Sequence, residues 1–121
     1  MTKLILVVED QEDNRQILRD LLANAGYQMI EAGDGEAAVT AATAHHPDLI
    51  LMDIQLPILD GYEATRRIKA DPALKDIPII VITSYALSGD ETKARAAGCD
   101  AYVAKPYSPR ALLAKIREYL P

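Results

Sequence analysis

The sequence predicts an α/β fold, a doubly wound five-stranded parallel sheet flanked by five helices. Three observations carry that prediction. Five short apolar runs alternate strictly with five segments of helical period, and such alternation implies a parallel sheet with right-handed crossovers. The central run, Leu49-Ile50-Leu51-Met52, is apolar at every position and runs straight into Asp53, as a strand covered on both faces does. The chain has 121 residues, half of them apolar, which suits one domain with a real core.

Each element follows from its own residues. Leu4 to Val8 is a first buried strand, ending in the adjacent acids Glu9 and Asp10. Gln11 to Asn14 is polar and acidic, as a helix start should be. Ile17, Leu18, Leu21, Leu22 and Ala25 then recur at helical spacing until Gly26. Gln28 to Ala32 is the second strand, Gly33-Asp34-Gly35 a turn, and Glu36 to Ala44 an Ala-rich helix able to lie close to a sheet. His45-His46-Pro47 ends it. Leu49 to Asp53 is the third strand. Asp60-Gly61 opens a helix through Lys69, which Asp71-Pro72 breaks. Ile79 to Thr83 is the fourth strand, Ser88 to Ala97 the fourth helix, and Gly98 its stop. Ala101 to Ala104 is the fifth strand, Lys105-Pro106 a turn, and Pro109 to Tyr119 the last helix. No linker, repeat or low-complexity tail interrupts the pattern, so residues 1–121 are expected to form a single domain with nothing left for an output module.

Composition narrows the function. With no Trp or Phe, the core must be largely aliphatic, and six Tyr supply every aromatic ring. A net charge of −5 with no basic run argues against direct binding of nucleic acid or an anionic membrane. The single cysteine, Cys99, excludes an internal disulfide and suits a reducing compartment. No signal peptide or membrane span is visible, so a cytoplasmic protein is expected.

The chemistry collects at one sheet edge. Open sheets of this kind bind ligands beyond the carboxyl ends of their strands, where the strand order reverses. If the order is 2-1-3-4-5, as in flavodoxin-like folds, the ends of strands one and three are neighbours. Glu9, Asp10 and Asp53 then converge. Thr83 and Ser84 reach the same edge from strand four, and Lys105 from strand five. Three carboxylates in one crevice repel each other, and one would hold a proton unless a cation intervened. Carboxylate, carbonyl and water ligands suit Mg²⁺, and no His or Cys belongs to the set. A carboxylate beside Mg²⁺, a hydroxyl and a lysine can accept a phosphoryl group, giving an acyl phosphate.

These residues also carry a family likeness. Val8-Glu9-Asp10, Met52-Asp53-Ile54-Gln55-Leu56-Pro57, Asp60-Gly61, Ile82-Thr83, Gly98-Cys99-Asp100-Ala101-Tyr102 and Ala104-Lys105-Pro106 occur in order along nearly the whole chain. With them the chain resembles the receiver domains of two-component response regulators, the CheY-like superfamily. The resemblance implies that Asp53 is the phosphoacceptor. It implies that the Asp10 and Asp53 side chains and the Gln55 carbonyl bind Mg²⁺, with Glu9 acting through water. Lys105 would pair with the phosphoryl group, and its bond to Pro106 would be cis. Thr83 would move in to hydrogen-bond the phosphoryl group, and Tyr102 would be the aromatic switch that follows it. Gln55 and Tyr85, each two residues past a site residue, would tune hydrolysis, and Ser84 stands where the family usually has a smaller residue. The implied protein is not an enzyme but a self-catalysed phosphoacceptor with at most slow autodephosphorylation. It would take its phosphoryl group from a histidine kinase or histidine phosphotransfer protein. It would signal to a protein target through the fourth helix, fifth strand and fifth helix, as a monomer or a phosphorylation-dependent dimer.

Other readings have identifiable costs. A haloacid-dehalogenase-like phosphatase needs a second Asp where Gln55 stands. A flavodoxin-like electron carrier needs a phosphate loop where Glu9-Asp10-Gln11-Glu12 would repel phosphate. A receiver excised from a hybrid histidine kinase would look much the same as a stand-alone one. A scaffold that never takes phosphate would usually lack an acid, the Thr or the Lys. His45 and His46 read as a solvated turn, Cys99 as a small packing residue, Asp60-Gly61 as cap and tight turn, and Arg66, Arg67 and Lys69 as a solvated basic face.

Overall fold

The computed structural model describes residues 2–83 and 90–121, without the side chains of Asp90 and Glu91. Five parallel strands form one sheet: β1 (Leu4–Val8), β2 (Gln28–Ala32), β3 (Leu49–Asp53), β4 (Ile79–Thr83) and β5 (Ala101–Ala104), in the order β2-β1-β3-β4-β5. Five helices connect them: α1 (Glu12–Asn24), α2 (Gly35–His45), α3 (Gly61–Ala70), α4 (Asp90–Ala96) and α5 (Pro109–Tyr119). The predicted fold class and strand order are therefore those of the molecule. The predicted opening of the fourth helix, with Ser84 and Tyr85 before it, lies outside the described residues.

Alternation along the strands sorts the core into two layers. Ile5, Val7, Leu49, Leu51, Ile80 and Ile82 face α1 and α5, meeting Leu18, Leu22, Leu112 and Ile116. Leu6, Val8, Ile50, Met52, Ile79 and Val81 face α2, α3 and α4, meeting Ala38, Ala42, Ala64, Ile68 and Ala94. All strand residues of β3 and β4 are buried, which explains runs without polar alternation. Each large aliphatic side chain taken from water contributes roughly 1.5–3 kcal/mol. Alanines on α2 let its backbone approach the sheet closely.

The helix ends follow the local chemistry. Asp34 caps α2 by accepting the Ala37 N–H, Asp60 caps α3 by accepting the Glu63 N–H, and Ser108 caps α5 with Pro109 behind it. Gly26 and Gly98 stop α1 and α4 at φ 88° and 105°, a conformation that costs glycine least. Gly61 is needed for a different reason than the expected tight turn. A Cβ there would lie 2.2 Å from the Asp53 carbonyl oxygen, so only glycine lets α3 start against the end of β3.

Two sequence expectations change. Lys69 does not belong to a solvated face. Its Nζ donates to the carbonyls of Lys75 (3.0 Å) and Ile77 (2.8 Å) and to Asp100 (2.8 Å), and Asp100 also accepts the Ile79 N–H. The long aliphatic stem lets a lysine cross to the β4 and β5 starts while its charge meets a carboxylate. Arg66 and Arg67 do lie at the surface, paired with Glu63. The second change is Leu74, fully buried in the α3–β4 connection where the sequence showed only a helix break.

Candidate phosphoryl and metal site

Strand order and register bring the acids together. Val8 pairs with Met52 across β1 and β3, so the next residues, Glu9 and Asp53, leave the sheet side by side on the α1–α5 face. One carboxylate oxygen from each of Glu9, Asp10 and Asp53 falls within 4.8 Å of the others. Glu9 and Asp53 are buried, whereas Asp10 is exposed at the crevice mouth. Lys105, one residue beyond β5, reaches back with Nζ 3.2 Å from Asp53 Oδ2 and 3.5 Å from Glu9 Oε1. Its backbone N–H donates to the Thr83 carbonyl, and the Lys105–Pro106 bond is cis.

The electrostatics follow from this crowding. Burial, then the hydrogen bond and charge of Asp53, push the Glu9 carboxyl up to about 7. A hydrogen bond from Asn14 and the charge of Lys105 oppose the shift without cancelling it. Burial alone would depress Lys105, but Asp53 and Glu9 outweigh it and hold the ammonium above its usual range. The lysine thus remains a fixed cation beside Asp53 at neutral pH.

The remaining predicted residues lie at differing distances from this core. Gln55 donates its backbone N–H to Asp53 Oδ1 at 3.1 Å, which fixes the rotamer of the aspartate. Thr83 is fully buried at the end of β4, opposite Ala104. Tyr102 sits on β5 opposite Val81, half-buried against the α2–α3–α4 layer. His45 and His46 are exposed at the far end of α2, and His46 adopts the left-handed region expected of a turn. Cys99 is buried.

Three neighbours of the site were not singled out in the sequence. Asn14 hydrogen-bonds Glu9, and Arg15 donates Nη1 to the Glu9 carbonyl at 2.8 Å. Their only sequence signal is placement one turn into the helix that follows the acids. Tyr107 lines a cavity of about 500 Å³ that runs from Glu9, Asp53 and Lys105 down between Ile17, Leu18 and Pro109.

Known proteins share this fold. The family model described as "Response regulator receiver domain" matches residues 5–117. The polar-differentiation response regulator DivK of Brucella ovis is 46% identical over 120 residues, covering 99% of this chain and 98% of its own length. The receiver domain of sensor histidine kinase PA1611 from Pseudomonas aeruginosa, solved with magnesium coordinated in its active site cleft, superposes with a TM-score of 0.92. It is 38% identical and covers 99% and 98% of the two chains. Chemotaxis protein CheY4 of Vibrio cholerae gives a TM-score of 0.92 at 26% identity, covering 98% and 99%. A match across nearly the whole chain, joined to the acid crevice and its lysine, makes this protein a member of the response regulator receiver family of two-component signalling.

Proposed function

We propose that Asp53 is the phosphoacceptor and that a histidine kinase or histidine phosphotransfer protein is the donor. The observation that carries this reading is Lys105 Nζ held 3.2 Å from Asp53 beside three converging carboxylates. An Asp53 oxygen attacks the phosphorus of the donor phosphohistidine as the phosphorus–nitrogen bond breaks. The imidazole nitrogen keeps the electron pair and takes up a proton, and Asp53 becomes an acyl phosphate. Lys105 offsets charge on the transferred group, and the buried Thr83 hydroxyl supplies a hydrogen bond to it.

The donor set fits Mg²⁺: oxygen ligands only, with a Glu9 proton held up to about 7 that a cation would displace. Asp10, Asp53 and the Gln55 carbonyl would hold the ion directly and Glu9 through water. When bound, it supplies charge neutralisation at the phosphoryl oxygens. The magnesium in the PA1611 receiver supports this assignment. Residues 1–121 act as one receiver, a phosphoacceptor rather than an enzyme, with at most slow autodephosphorylation. Output runs through protein contacts on α4, β5 and α5, with Thr83 and Tyr102 as the switch. Among the described residues no helix is long and apolar enough to cross a membrane, and the buried Cys99 suits a cytoplasmic setting.

Incubation with acetyl phosphate and Mg²⁺ should add one phosphoryl group to wild type, detected by intact-protein mass, and none to Asp53→Asn. Equal labelling of both would refute the assignment.

A further inference from the structure

We infer that Arg15 is a positioning residue that holds the β1–α1 loop in its metal-binding shape. The inference rests on the proposed Mg²⁺ site. That loop, residues 9–11, carries two of the three acids, and one internal bond runs from the Asp10 N–H to Glu9 Oε2 at 3.1 Å. Gln11 occupies the N-cap of α1 in an extended conformation and makes no side-chain cap bond. The Glu9 N–H continues the sheet by bonding the Ala32 carbonyl. The Glu9 carbonyl, past the end of β1, is instead taken by Arg15 Nη1 at 2.8 Å. Arg15 therefore ties the acid-bearing loop to the helix one turn further on.

The arginine is itself held. Its Nε and Nη2 lie 3.1 and 2.8 Å from Glu12 Oε2, and Nε lies 3.3 Å from Glu31 Oε1 on β2. The planar fork thus spans loop, helix and neighbouring strand at once, which a lysine ammonium cannot do. Glu12 and Glu31, each also paired with Arg19, keep the guanidinium in ion pairs while it orders the loop. Mutual repulsion of Glu9, Asp10 and Asp53 favours an open loop in the metal-free protein. Arg15 meets that ordering cost beforehand, as partners behind the ligands do in other metal sites.

Magnesium titrations followed by backbone-amide NMR, with amide hydrogen exchange in the metal-free protein, test this. In Arg15→Ala, half-saturation should need roughly ten-fold more Mg²⁺, reach the wild-type end state, and come with faster exchange at Asp10 and Gln11. Arg15→Lys, which keeps one donor for the carbonyl but loses the fork to Glu12 and Glu31, should fall between Arg15→Ala and wild type. Arg66→Ala, which removes an equal charge from a surface pair with Glu63 and touches nothing in the loop, should titrate as wild type. Wild-type affinity in Arg15→Ala, or an equal loss in Arg66→Ala, overturns the role of Arg15 while leaving the metal site standing. A wild type that takes up no Mg²⁺ overturns both.

Discussion

Glu9 is the residue where fold and function conflict most directly. Its folded-state pKa of about 7 lies above the ordinary 4.5, so the metal-free fold binds a proton that the unfolded chain gives up. The sign is that of a raised acid: this contribution to stability is full below about 4.5 and is lost as pH rises to about 7. Its size is at most a few kcal/mol. Mg²⁺ needs the deprotonated carboxylate, so its affinity should climb through the same window. Thermal melts at pH 5.5 and 7.5 should show little stabilisation by Mg²⁺ at the lower pH and clear stabilisation at the higher. Equal shifts at both would deny that Glu9 faces the ion. The acids and Lys105 were legible because each ends a strand. Asn14 and Arg15 were not, since a polar residue on an amphipathic helix looks the same whether it faces water or a carbonyl. Nor was the exposed Ile58, at φ 69°, because β-branched residues disfavour that region.

At the scale of elements, strand bounds could be read almost to the residue. Buried parallel strands are continuous apolar runs, and Gly, Asp and Pro mark their ends. What escaped was the packing of connections. Leu74 was one apolar residue in a polar stretch, and Lys69 was one base among three. The Lys69 ammonium joins α3 to the starts of β4 and β5, with its side chain only 16% exposed. Lys69→Met should keep the stem and lose the three bonds, destabilising the fold by about 2 kcal/mol in urea titrations. Phosphorylation of Asp53 should be unaffected, because this network lies at the opposite end of the strands. Unchanged stability would return Lys69 to the solvated face first assigned to it.

For the whole molecule, the question is how a phosphoryl group at one sheet edge reaches a surface. Thr83 and Tyr102 stand on adjacent strands, two residues apart in register, Thr83 buried at the end of β4 and Tyr102 half-buried against the α2–α3–α4 layer. On the proposed reading, a bias of a few kcal/mol between two arrangements of this pair is enough to repopulate the face formed by α4, β5 and α5. Thr83→Ala should therefore still be phosphorylated but should lose most of the phosphorylation-dependent gain in partner affinity, measured by titration with and without beryllofluoride. An undiminished gain would place the coupling elsewhere.

On the proposed reading, one carboxylate, made reactive by its neighbours, carries the phosphoryl group. Borohydride reduction of the phosphorylated protein converts an aspartyl phosphate to homoserine, which peptide mass spectrometry can locate. Homoserine at position 53 and at no other acid is the predicted result. Homoserine at position 10, 5-hydroxynorvaline at position 9, or phosphorylated protein that yields neither product, would contradict it.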